Sequence, residues 1–446
     1  MSDHAPMFTN LELTELALAP GDRAAAALNR GEPDTARDVA ESNVNKHFIL
    51  RDIYVSWNAR TLAYIEREFG SDALAEAIPA ALRNIARPWA EWFRNGVSRE
   101  AVSSLATILR MDAGALAAVE EDDNSVVLVS EAWAAARADG IPGAKDLRLV
   151  TTEIERLCCE WLGYPPFVFD AGTGAEPLRL TIHKDPLTVP ASVFERLGAV
   201  RDKARIGAAF AVAGAILFDD DEREAMRHPA MALAVNAIDR GDYALARRHL
   251  ALSKTEWYPA HHFARDLVTA LTGWIYEHHG VEHCWESVQQ CYNRPAMGAM
   301  MAQVSQIPVR DRVVMLADLF HQHGMKYTLT ETPGGVRIHT APCGSGGRLI
   351  DEGAYEAPKN LATVRGKGLE SFGLDEMGVY CMHCPATNKL VLENGGPYFL
   401  LVEPGLKDGR ITGHCDFHVF HSEADVPRSM YDRVGVARPQ ARDDKT

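Results

Sequence analysis

Between Leu50 and Phe69, and again between Ala264 and His279, apolar residues recur at mixed intervals of three and four, the spacing that gathers them on one face of an α-helix. A glycine follows each run, Gly70 and Gly280, where a left-handed residue commonly closes a helix. Further along, the pattern turns to short β-like runs separated by turn residues. These are Ser125–Val129, Phe167–Phe169 and Leu178–Ile182, then Val336–Thr340, Pro397–Val402 and Ile411–Phe420. Helices first and strands afterwards predict an α+β fold with an antiparallel sheet rather than βαβ alternation. Between the two sets, Ala199–Phe218 and Ala230–Leu252 read as helices around an acidic turn, Asp219-Asp220-Asp221-Glu222. The apolar run Ile206–Phe218 is 13 residues long; a bilayer-spanning helix needs about 20, so the run predicts a buried helix.

The order of elements repeats. Arg30-Gly31 and Ala36-Arg37 match Arg240-Gly241 and Ala246-Arg247 at an offset of 210, as Tyr64-Ile65 and Gly70 match Trp274-Ile275 and Gly280. Arg99, Val102, Leu105 and Ala106 meet Arg310, Val313, Leu316 and Ala317 at 211. Val189-Pro190, Ser192, Arg196 and Gly198 meet Val426-Pro427, Ser429, Arg433 and Gly435 at 237. Blocks in the same order predict a tandem duplication: a first copy over 24–198, a helical linker over 199–233, a second copy over 234–435 and a flexible tail over 436–446. The second copy carries the extra length, and that is where most cysteines lie.

Composition narrows the function. With 46 Lys and Arg against 61 Asp and Glu the net charge is −15, which disfavours nucleic acid and anionic membranes as partners. No export signal is visible at the start, so a cytoplasmic protein with reduced thiols is expected. Six of the eight cysteines and 12 of the 17 histidines follow Tyr258, which places the expected chemistry in the second copy. A small-molecule substrate is the expected partner, with homo-oligomerisation left open.

Cys381-Met382-His383-Cys384 has the C-x-x-C spacing with which two thiolates bind one metal ion. Cys343, in a Pro-Cys-Gly turn, and Cys415, in a strand, complete a candidate Cys₄ set. Zinc is the first choice of metal, with iron or an iron–sulfur cluster as the alternative. Three readings stay open: a closed zinc staple, a zinc site with an open position, and metal-free thiols. Period two along Gly413–Val419 puts Cys415, Phe417 and Val419 on the core face and His414 and His418 on the wetter one. Candidate catalytic residues are His383, the helical pair His262 and Asp266 four residues apart, and Arg348. The last follows Gly344-Ser345-Gly346-Gly347, which reads either as an anion-binding nest with a guanidinium clamp or as a tight turn. Cys158, Cys159, Cys284 and Cys291 suit the core.

Taken together, the helices, a Pro-Cys strand end, the Cys-x-x-Cys turn and Gly413-His414-Cys415-Asp416-Phe417 on a last strand resemble the L-2-amino-thiazoline-4-carboxylic acid hydrolase-like family and its 4-vinyl-reductase-domain relatives over about 300–420. The resemblance implies an α+β domain with a small-ligand pocket beside a cysteine-rich site, and it carries over Cys343 and Cys415 foremost. The expectation is a metal-dependent hydrolase of a small carboxylated or heterocyclic compound. Its rivals are a non-catalytic binding or sensor protein with structural zinc and an iron or iron–sulfur redox protein.

Overall fold

Small side chains decide how the first helices pack in the computed structural model, which describes residues 6–130, 140–170, 177–206 and 214–438. The chain forms two compact units, one of Ala19–Leu271 and one of Met1–Leu18 with Thr272–Thr446. Each combines helices with a four-stranded antiparallel sheet, the α+β class that the patterning predicts.

In the unit 19–271, helices Pro20–Asn29, Pro33–Glu41, Ala230–Asp239 and Tyr243–Leu252 share a core of Ala24, Ala27, Ala36, Ala40, Ala234, Ala237 and Ala246, sealed by Leu28 and Leu250. Proline occupies a first helical position in the first two, where its missing N–H costs nothing. The Asp242 side chain caps the last by accepting from the Leu245 N–H. The sheet consists of β1 (Ala118–Glu121), β2 (Ser125–Ser130), β3 (Phe167–Asp170) and β4 (Leu178–His183), in the order β1-β2-β4-β3. Val126 faces Ile182, and Leu128 faces Leu180. All four are fully buried, so the period of two fixes the register.

The other unit repeats this order. Its strands are β5 (Tyr327–Thr332), β6 (Gly335–Thr340), β7 (Thr363–Arg365), β8 (Glu376–Gly378), β9 (Leu401–Glu403), β10 (Leu406–Lys407), β11 (Arg410–Ile411) and β12 (Asp416–Phe420). The main sheet runs β5-β6-β12-β9, with β7–β8 and β10–β11 as separate two-stranded ribbons. Phe417 lies opposite Ile338 and Val402, and its ring meets Phe320 of helix Val309–Gln322 edge-on at 4.7 Å.

A matching device enters each sheet. Residues 7 to 17 carry a capping box, Thr9 with Glu12. The Met7 and Phe8 N–H groups donate to Glu331 at the end of β5 (2.7 and 3.2 Å), while Arg310 pairs with Glu12 and covers the Phe8 ring. In the unit 19–271, Leu217 and Phe218 donate to Glu121 of β1 (2.6 and 3.0 Å), Asp219 and Glu222 form the capping box, and Arg99 pairs with Glu222 over the Phe218 ring. The spacings are those of the sequence repeat, 210 for Glu121 and Glu331 and 211 for Arg99 and Arg310. The compact units nonetheless divide at other places than the proposed copies, because residues 6–18 pack on β5 and helix Val309–Gln322 while 230–271 share the core of 19–271.

Several expected elements shift. The acidic turn is the N-cap and first turn of helix Asp220–Met226, a place where carboxylates suit the helix dipole. The helix expected over 199–218 is replaced by Lys203–Ile206 and non-helical residues 214–219; the rest of that run, 207–213, lies outside the described residues, as does the tail from 439. Strands β1, β5, β7, β8 and β10 are absent from the expected set. Among the described residues no helix is long and apolar enough to cross a membrane.

Two consequences can be measured. Glu121 is buried with Lys184 at 2.5 Å, both side chains shut off from solvent, and it also holds two arm N–H groups. Glu121→Ala should cost about 3–5 kcal/mol in urea unfolding, the range for breaking a buried ion pair. His47 and His183 are both held neutral by burial, with pKa values lowered to about 4. The unfolded chain therefore takes up protons first as pH falls, so their contribution is full above pH about 6.5 and is lost towards pH 4. Each should be worth on the order of 3 kcal/mol at the acid end, and His183→Gln should flatten the unfolding-midpoint profile across this window.

Candidate functional site

Four thiols from three stretches of one unit line a single cavity. Cys343, Cys381, Cys384 and Cys415 surround it with His383, Gly346, Gly347, Gly413, Phe372 and Phe417. Its free volume is about 20 Å³, room for one water-sized atom or ion.

Backbone contacts bring them there. The Cys343 N–H donates to the Gly413 carbonyl at 2.9 Å, which ties the start of the short helix Gly346–Asp351 to the lead-in of β12. Cys415 is locked to β6: its carbonyl accepts from the Thr340 N–H (3.1 Å) and hydroxyl (2.9 Å). Cys381 lies in a 3₁₀ turn, Val379–Met382, that runs straight into helix His383–Glu393, so Cys384 falls in that helix's first turn. The C-x-x-C segment is thus a helix start rather than a free turn.

The glycines before Arg348 serve close packing. None of Gly344, Gly346 and Gly347 has a positive φ, so the backbone is not shaped by left-handed residues into an anion nest. They are glycines because of close approach. A Cβ on Gly346 would stand 2.6 Å from the Cys381 sulfur, one on Gly347 would strike the Gly413 carbonyl and one on Gly344 the His323 carbonyl.

Arg348 is not among the residues lining the cavity. It donates from Nη2 to the Gly324 carbonyl at 2.8 Å, just past the end of helix Val309–Gln322. His262 and Asp266 belong to the unit 19–271. There Asp266 is buried with Oδ1 held by the Arg265 guanidinium at 2.7 Å, and His262 stacks on Tyr258. Neither is among the residues lining the thiol cavity. Cys158, Cys159, Cys284 and Cys291 are buried in cores as expected, and Cys415, Phe417 and Val419 face inward while His414 is exposed.

Burial dominates the electrostatics. It pushes Cys381 and Cys384 well above the ordinary thiol value and Cys415 up to about 12, and each is raised further by charge on the others. A Gly405 N–H pointing at the Cys415 sulfur works weakly the other way. His383 donates from Nδ1 to the Tyr380 carbonyl (2.7 Å), which leaves Nε2 as the acceptor facing the Cys384 thiol at 3.5 Å. Burial lowers its pKa to about 4.

His323, which the sequence reading did not select, also belongs here. Its Nδ1 meets the Ser345 hydroxyl at 2.9 Å. Burial, with the neighbouring His383 and Arg348, lowers its pKa to about 3. Its signal in the sequence was slight, a second histidine at the end of an ordinary amphipathic helix. Asn293, in the π-helical stretch Gln289–Met297, donates to the His383 carbonyl (3.3 Å) and to Thr387 (2.7 Å), fixing the helix start that carries Cys384.

Among the described residues, no three His, Cys, Asp or Glu side chains are arranged to hold a metal ion as they stand. Comparison with protein-family models, curated proteins and solved structures finds no match to the chain.

The glycine packing makes a direct prediction. Gly347→Ala, which must displace backbone, should destabilise the unit by about 1–3 kcal/mol and show altered reactivity of Cys343 and Cys415 to a thiol reagent. Gly353→Ala, with open space around its Cβ position but a φ of +63°, should leave that reactivity unchanged.

Proposed function

We propose that the unit built around Cys343, Cys381, Cys384 and Cys415 is a thiolate metal centre, with zinc as the ion, in an enzyme that hydrolyses a small carboxylated or heterocyclic compound. The carrying observation is that these four thiols converge on one ion-sized cavity. Donor chemistry supports the reading. Thiols held neutral by burial, each raised by charge on the others, need a cation before several can ionise together. The small volume favours a single ion over an iron–sulfur cluster. A zinc ion held there would supply Lewis acidity and, with a position left open, an activated water.

The residues around the centre have distinct tasks in this reading. His383 keeps its Nδ1 proton on the Tyr380 carbonyl, so Nε2, which faces the Cys384 thiol, is the nitrogen that would take a proton from water or thiol. His323 and Ser345 extend the polar edge next to it. The resemblance to the thiazoline hydrolase-like family adds the substrate class, and the repeat suggests that one copy kept a site which the other lacks.

The contact between Cys384 and His383 favours a second reading, metal-free nucleophilic catalysis by a Cys–His pair. The raised thiol pKa weighs against it, because the thiolate is the nucleophile.

Elemental analysis of the full-length protein, purified under reducing conditions, should find zinc near one equivalent, and cobalt loading should give thiolate charge-transfer absorption. Cys381→Ser and Cys415→Ser should both lose metal, whereas Cys159→Ala, in the other unit's core, should keep it. Ring opening of 2-amino-thiazoline-4-carboxylate and related cyclic acids should require the bound ion. A metal-free preparation that retains full activity would refute the metal reading in favour of the Cys–His pair.

A further inference from the structure

A cavity of about 160 Å³ lies in the unit 19–271, which carries none of the four site thiols. Five rings wall it, those of Tyr54, Trp89, Phe169, Trp257 and Phe263, with aliphatic side chains between them. Trp89 and Phe263 meet at 4.9 Å, so part of the wall is held in place by its own contacts. Half-buried Thr151, Ala260 and Phe263 bring one side of it near solvent. Protein interiors hold few voids larger than a water molecule, and an apolar one of about 150 Å³ takes up benzene.

Its place in the fold matches that of the thiol cavity in the other unit. In helix Leu147–Leu162, Glu155 Oε1 accepts from the Phe169 N–H of edge strand β3 at 2.6 Å. In helix His383–Glu393, Asn388 Oδ1 accepts from the Val402 N–H of edge strand β9 at 2.8 Å. Both links span 14 residues. The strand partners of Phe169 and Val402, Leu180 and Phe417, stand 237 apart, the offset of the sequence repeat in that region. Phe169 and Val402 each line their own unit's cavity. About one helical turn before Glu155, Val150 and Thr151 stand on the wall of the larger cavity, and at the same distance before Asn388, His383 and Cys384 stand on the wall of the thiol cavity. One unit thus offers two β-branched side chains where the other offers an imidazole and a sulfur. A pocket that recurs at one point of two units is a product of the fold rather than a local packing fault.

The polar groups on the wall already have partners. Among the described residues the wall has two charged side chains, Arg51 and Asp112. Arg51 donates to Asp52 (2.7 Å) and to the Asp112 carbonyl (2.5 Å), and Asp112 has a further partner of its own. The Tyr54 hydroxyl meets His261 Nε2 at 3.4 Å, the Thr151 hydroxyl donates to the Arg148 carbonyl at 2.9 Å, and Asn58 Nδ2 donates to the Tyr54 and Ala264 carbonyls at 3.0 Å. The Asn58 oxygen and the Trp257 N–H are sealed in the packing and have no surface to offer an occupant. A charged or polar head entering here would lose its water without gaining a partner.

We propose that this cavity is a binding site for an uncharged, apolar single-ring compound, a benzene-sized ring with at most a short alkyl arm, held by ring packing and exclusion of water rather than by hydrogen bonds. The site shares the thiol cavity's position in the fold and none of its chemistry, and it is independent of the function proposed there.

The test uses the full-length protein, with toluene as the probe and with benzoate and benzylamine as probes that add a negative or a positive charge to the same ring. Calorimetric titration should show saturable toluene binding at one site, tighter than about 1 mM. Benzoate and benzylamine should each bind at least about tenfold more weakly. Ala260→Phe fills the cavity from a half-buried wall position and should abolish toluene binding, with thermal unfolding confirming that the variant is folded. Leu109→Ala widens the cavity from a buried wall position and should shift selectivity from toluene towards butylbenzene. Toluene that fails to bind up to its solubility limit would overturn the proposal. So would a charged probe that binds as tightly as toluene, toluene binding that survives Ala260→Phe, or unchanged selectivity in a folded Leu109→Ala protein.

Discussion

Where Gly347 meets Gly413, two stretches of backbone lie together with no side chain between them, and the Cys343 N–H reaches the Gly413 carbonyl. Cys343 is four residues before one glycine and Cys415 two residues after the other. Any spacer at this contact would move both sulfurs. Gly346 makes the corresponding allowance for Cys381. The thiol cavity thus depends on the absence of three Cβ atoms as much as on the presence of four sulfurs, and its geometry is set by main chain, which cannot change rotamer.

What this arrangement produces is an electrostatic conflict. Burial already disfavours the thiolate, and each thiol that ionises makes the next harder to ionise. Neutral His323 and His383 add no counter-charge at physiological pH. A protein that gathers thiols under these conditions gains stability only by keeping them protonated or by giving them a cation. The first makes them inert, whereas the second makes them ligands. The proposed function rests on this choice.

The sequence made some of this legible. Cys343, Cys381, Cys384 and Cys415 could be grouped because spacing, residue type and their clustering in one half pointed the same way. Strand alternation gave the inward direction of Cys415 correctly. The glycines before Arg348 can be read locally only for the φ they permit, while the structure uses them for the distance they permit, a tertiary property that no local pattern carries. His262 and Asp266 have helical spacing suited to a pair, and the structure adds Arg265, whose guanidinium meets the Asp266 carboxylate. Strands β1 and β5 were missed for different reasons: β1 is short and acidic, while β5, Tyr-Thr-Leu-Thr-Glu-Thr, alternates but has few strongly apolar residues. His323 gave almost no signal, since its role comes from Ser345 and His383, distant in sequence.

The unit holding the thiols is assembled from residues 6–18 and from 272 onward, whereas 19–271 is one continuous stretch. A chain emerging from the ribosome therefore completes the continuous unit while the first arm still waits for Glu331 and Arg310. Closing so long an interval adds little entropy cost, because that cost grows only with the logarithm of length, but it does impose an order in time. The last thiol, Cys415, is synthesised after every other member of the set. An ion cannot find its full complement of sulfurs until Cys415 has been made, so loading of the centre would come after synthesis of the whole 19–271 unit.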